Sequence, residues 1–107
     1  MFQEMFGTAR PVIGVVHLPP LPGSPRWCGD FRKVISSAQA DAESLAKGGA
    51  HGMIVENFGD APMRRGAVGP ETVAALTLAV EAVREVTTLP LSTCCETTPV
   101  LLWRLPP

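Results

Sequence analysis

Residues 11–18 read Pro11-Val12-Ile13-Gly14-Val15-Val16-His17-Leu18, a short and nearly uniform apolar run rich in β-branched side chains. Such a run suits a strand buried on both faces, as in a parallel sheet, because it leaves no polar alternation for water to meet. The next stretch, PPLPGSPRWCG (19–29), carries four prolines and two glycines, so the strand must end in a loop. Asp30 is a suitable N-cap. Beyond it Phe31, Val34, Ile35, Ala38, Ala42, Leu45 and Ala46 fall at helical spacing, opposite Arg32, Lys33, Gln39 and Glu43. Gly48-Gly49 stops this helix, with Lys47 near its negative end.

A second short apolar core, Met53-Ile54-Val55, closes on the polar pair Glu56-Asn57, and GDAPMRRGAVG (59–69) supplies turn residues. Gly69-Pro70 opens a second helix with proline at its first position and Glu71 in its first turn. Its predicted buried stripe is Val73, Leu76, Thr77, Val80, Val83 and Val86. Thr88-Leu89-Pro90-Leu91 reads as the approach to a third strand. The order β-α-β-α-β argues for a parallel α/β architecture, as a barrel or an open doubly wound sheet. The loop HLPPLPGSP stands where a dinucleotide-binding strand would be followed by G-x-G-x-x-G, which disfavours a nucleotide-binding open sheet.

Parallel α/β folds bind ligands at the carboxyl ends of their strands. The first strand delivers His17 there, and the second delivers Glu56 and Asn57. Adjacent strands lie roughly 5 Å apart, so His17 and Glu56 can face one pocket. A histidine exchanges protons near neutral pH, and a neighbouring carboxylate orients the ring and holds its charge. His17 stands equally well as a catalytic group or as a buried histidine bonded to backbone. A polar pair directly after a buried strand is costly unless satisfied, which favours a role for Glu56 and Asn57. Asp60 reads first as a turn residue, since Gly-Asp-Ala-Pro is good turn chemistry, with a ligand contact as the second reading. Arg64, beside Arg65, precedes a helix start where a phosphate can be gripped, against the plainer reading of a solvated loop. His51 follows the helix stop at the opposite end of the sheet and reads as structural. The proline-rich loop reads as a rigid segment beside the site rather than as an extended docking peptide.

The composition narrows the classes further. The 107 residues are 46% apolar and 18% charged, with a formal net charge of −1, which is that of one globular domain at most. There is no basic excess to neutralise phosphates, so nucleic-acid binding has no electrostatic support. No run approaches eighteen apolar residues, and MFQEMFGTAR lacks the features of a signal peptide, so the expectation is a cytoplasmic protein without an integral membrane segment. Cys28 and the pair Cys94-Cys95 form neither a disulfide framework nor metal-ligand spacing, and no metal site is expected. The pattern names no cofactor.

PVIGVVHLPPLPGSPRW and GMIVENFGDAPM, with DAESLAKGGAHG between them and GPETVAALT at the second helix, together resemble the BtpA family, also called the photosystem I biogenesis or SgcQ-like family. The resemblance runs from about Pro11 to Leu91, and two long motifs in order are far more specific than one glycine pattern. It implies a TIM barrel, of which this chain supplies the first two βα units and the stub of a third strand: a truncated (β/α)8 barrel. It also places His17, Glu56 and Asn57 at the ligand face. In oxygenic phototrophs a member is linked to photosystem I accumulation, which adds a membrane-peripheral location to the expectation. Other relatives accompany sugar-metabolism proteins and carry a nucleosidase assignment. The implied parent therefore binds or transforms a small sugar- or nucleoside-like ligand, with an assembly factor acting by protein contacts as the alternative.

The family pattern breaks after Leu91, where a continuation resembling P-L-G-V-N-V-L-R-N-D is expected. Codons permitted by Ser92 to Pro107, read two bases later, can spell N-V-L-R-N-D followed by an alanine-rich stretch. The expectation is thus a fragment of a BtpA-like barrel over residues 1–91 and an out-of-frame, non-native tail over 92–107. A two-strand piece of a barrel leaves apolar strand edges open to self-association, and activity in isolation is not expected.

Overall fold

The computed structural model describes residues 2–57, 69–95 and 98–104. A short helix α1 (Phe2–Phe6) precedes β1 (Ile13–His17), α2 (Phe31–Lys47), β2 (Gly52–Glu56), α3 (Pro70–Val86), β3 (Leu91–Cys95) and β4 (Thr98–Arg104). The sheet order is β1-β2-β3-β4. The first three strands are parallel and β4 runs antiparallel to β3. Three parallel strands joined by helices match the order read from the sequence and are compatible with a partial βα repeat.

Local chemistry explains the boundaries. Asp30 has extended φ/ψ, and its Oδ1 accepts from the Arg32 N–H at 3.1 Å, capping one of the orphan donors of α2. Gly48 caps the other end, and Gly49 follows at φ 98°, a conformation that costs glycine little and other residues much. Pro70 opens α3, where its missing N–H removes nothing the helix needs.

Parallel strands joined by right-handed crossovers put both helices on one face of the sheet. Gly14, Val16, Met53, Val55 and Leu91 point into that layer and pack with Val34, Ala38 and Ala42 of α2 and Ala75, Leu76, Ala79 and Val83 of α3. Gly14 is required by close approach: a Cβ there would lie 2.8 Å from both terminal methyls of Leu45. The opposite face carries Val15, 40% exposed, His17, and the half-buried Ile54 and Glu56. The expectation of a first strand buried on both faces is therefore corrected: in β1 buried and less buried positions alternate.

One further reading changes. The buried stripe of α3 is Thr72, Ala75, Leu76, Ala79, Ala82 and Val83, while Val73 is 51% exposed and Thr77 is exposed. Small residues won because α3 packs closely on α2, to the point that Gln39 Nε2 donates to the Ala82 carbonyl at 3.0 Å. The third strand begins where Thr88–Leu91 was expected to approach it, and residues 92–94 extend it in register with β2. The tail contributes β4, with Leu91 opposite Arg104 and Ser92 opposite Trp103.

Candidate functional site

The parallel register sets His17 beside Glu56 as the last pair of the β1–β2 ladder. Both lie on the sheet face away from the helices, since neighbours in register share a face and Val15 and Ile54 precede them by one period. His17 Nε2 stands 3.6 Å from Glu56 Oε2, with side-chain exposures of 53% and 22%. That is ion-pair distance rather than a short hydrogen bond, and both groups remain reachable from solvent. The Leu18 N–H donates to the Glu56 carbonyl at 2.9 Å, so the backbone ladder continues past the pair and fixes their spacing.

Asn57, next along the chain, is buried at 2% exposure, so it follows the pair as the polar residue drawn inside the strand end. Asp60 and Arg64 lie outside the described residues. His51 sits at the opposite end of the strands. Its Nδ1 accepts from the Val12 N–H at 3.0 Å, while its own backbone N–H donates to Val12 O at 2.8 Å. Those two bonds clamp the entry of β1 to the entry of β2, a structural assignment.

The proline-rich loop is held from three directions. Leu18 and Leu21 are buried in the helix-side core, the Ser24 N–H donates to Leu21 O, and Thr72 Oγ1 donates to Pro22 O at 3.2 Å. Gly23, at φ 97°, makes the turn that brings the loop against the first turn of α3; a Cβ there would meet Glu71 Oε1 at 2.7 Å. The loop therefore leans toward the helices and leaves the His17–Glu56 end of the sheet uncovered by residues 18–24.

Two hydroxyls near the site were missed from sequence. Thr93 Oγ1 donates to Val55 O at 3.1 Å. Ser92 pairs in register with Ile54, one period before Glu56, and its hydroxyl is buried without a hydrogen-bond partner. Period-two spacing back from the residue opposite Glu56 would have found Ser92, had the third strand been placed four residues later. Among the described residues no three His, Cys, Asp or Glu side chains gather as a metal set, and no helix is long and apolar enough to cross a membrane.

Comparison with known proteins adds the relationship. A family model described as the BtpA family matches residues 8–95. The chain is 49% identical over 90 residues to the "Photosystem I biogenesis protein BtpA" of Synechocystis sp., covering 84% of this chain and 31% of that protein. It is 49% identical over 89 residues to an uncharacterized protein of Pyrococcus furiosus, covering 83% of this chain and 34% of that one. An uncharacterized protein of Archaeoglobus fulgidus is 51% identical over 78 residues, 72% of this chain and 31% of its own. The chain thus spans about a third of the length of the curated relatives it matches. No solved structure matches it significantly.

Proposed function

Because the chain belongs to the BtpA family, we propose that its carboxyl-end strand pair is part of a small-molecule site in which His17 and Glu56 transfer and stabilise a proton. The observation that carries this reading is the 3.6 Å approach of His17 Nε2 to Glu56 Oε2 on the sheet face away from the helices. A carboxylate at that distance is placed to orient the ring, and a partly exposed pair remains open to a ligand. The proposed ligand is sugar- or nucleoside-like, whose hydroxyls and glycosidic oxygen are groups that such a pair protonates or deprotonates. Asn57 orients the ligand or the carboxylate, and Asp60 and Arg64 complete its polar contacts. The remaining groups of the site belong to a (β/α)8 barrel of which this chain is the first part, so turnover is proposed for the longer parent.

Calorimetric titration with adenosine and with ribose tests this on the chain and on the full-length Synechocystis relative. Glu56→Gln and His17→Ala are expected to weaken binding or turnover by about a hundredfold in the full-length protein, the usual weight of an acid–base group, with circular dichroism unchanged. A second reading, an assembly factor acting through protein contacts, is favoured by the name of the Synechocystis relative. Variants with intact folds and undiminished photosystem I accumulation would reject the pair as the working part of that role. Full ligand binding by both variants would reject the proton-transfer site.

We also propose that residues 92–107 are an out-of-frame reading of a segment that continues the barrel. The permitted codons support it, and so does the buried, unpartnered Ser92 hydroxyl, a defect costing roughly 1–3 kcal/mol that selection tends to remove. The coding DNA across the Leu91 codon decides: an N-V-L-R-N-D frame two bases on is expected, and its absence sinks the proposal.

A further inference from the structure

The outer surface between α2 and α3 has a groove of about 560 Å³ lined by Phe31, Ile35, Leu78 and Ala82 at its apolar centre. Leu78 is 59% exposed, although it sits on a helix whose other face supplies much of the core. Single exposed leucines are ordinary, but this one borders a groove that already holds two half-buried apolar side chains, Phe31 and Ile35. Charge is distributed unevenly along the groove. Arg32, in the first turn of α2, has a side chain 94% exposed, while Glu85 stands in the last turn of α3. Since both helices return across the same parallel strands, they run in the same direction, and the cation and the carboxylate occupy opposite ends.

We propose that this groove is a self-complementary docking surface for a second copy of the chain. A two-fold axis lying in the contact, perpendicular to the line from Arg32 to Glu85, carries each arginine onto the other copy's glutamate. The apolar centres then meet, and both Leu78 side chains leave water in the same contact. A surface with a cation toward one end and carboxylates toward the other fits its own copy better than a uniformly basic or acidic partner. The local competitors are weak: Asp30 Oδ1 is 3.6 Å from Arg32 Nε on an exposed surface, and Gln39 Nε2 is 3.4 Å from Glu85 Oε2. Glu81, also on the groove, adds a second carboxylate to the acidic side. The surface lies on the outer side of the helices, away from the sheet face that carries His17, so docking leaves the proposed ligand site open.

Sedimentation equilibrium on the full chain tests the proposal. A concentration-dependent dimer is expected. Leu78→Lys should abolish it without changing the helical signal, because the residue is exposed. Arg32→Glu should weaken it about tenfold, and adding Glu85→Arg to that variant should restore it. A strictly monomeric chain at high micromolar concentration overturns the proposal, and so does a groove that binds only some other protein. Association through open strand edges would be indifferent to all three substitutions, and that result overturns it as well.

Discussion

The two faces of the three parallel strands carry opposite assignments. On the helix side, Val16, Met53, Val55 and Leu91 are fully buried, and the neighbouring layer of α2 and α3 is built from alanines and valines. On the other side, one residue away in β1 and β2, stand Val15, His17, Ile54 and Glu56, all partly exposed, while Ser92 of β3 is buried there. The backbone is common to both, so the difference comes from which side the crossovers leave uncovered. It teaches that burial changes from one residue to the next here, because a strand alternates its side chains with period two.

The strongest way to break this comparison is to put the same charge on each face. Val55→Asp places a carboxylate in the closed layer with no partner, at a cost expected to exceed about 4 kcal/mol, a large part of any small domain's stability. Urea denaturation should find that variant unfolded. Val15→Asp, on the uncovered face, should stay within about 1 kcal/mol of the parent chain, the range of surface substitutions plus a strand-propensity penalty. Equal losses at the two positions would mean that something covers the second face in solution.

An intermediate effect is expected where the loop meets the helix layer. Thr72→Val keeps the shape of the side chain and removes the bond from its Oγ1 to Pro22 O, so the loss should be about 1 kcal/mol, most of it from leaving that carbonyl with water alone. Proteolysis near Ser24 should rise with it, since the loop loses one of its three attachments. An unchanged cleavage rate would assign the loop's position to the buried Leu18 and Leu21 alone.

The order of elements was legible because its signals are local: the cap at Asp30, the stop at Gly48-Gly49 and the proline at position 70 each act within one turn of chain. His17 and Glu56 were legible as neighbours because parallel pairing of two short strands of equal length leaves few registers. Less was legible where the outcome depends on what packs against a segment. The valine-rich side of α3 looked more buried than the alanine side, yet close approach to α2 selected Ala75, Ala79 and Ala82. The uniform apolar run of β1 suggested two covered faces, and among the described residues its side chains alternate between buried and less buried. The helix at Phe2–Phe6 and the strand at Thr98–Arg104 carry no cap or alternation that marks them in advance. Of the five candidate site residues, the structure brings His17 and Glu56 together and buries Asn57, the next residue in the chain, while Asp60 and Arg64 fall outside the described residues.

The smallest stability effect should come from the residue with the largest proposed functional one. His17 is more than half exposed, and its approach to Glu56 at 3.6 Å is the kind of surface pair that contributes between nothing and about 1 kcal/mol. His17→Ala should therefore shift the unfolding free energy by less than about 0.5 kcal/mol, within the ordinary range for surface positions. Stability falling well beyond that would mean the ring is held by the fold, returning His17 to the structural role that His51 already plays at the other end of the strands. A stable variant that no longer binds ligand would instead place the two properties on opposite faces of the same strand, with Val16 serving one and His17 the other.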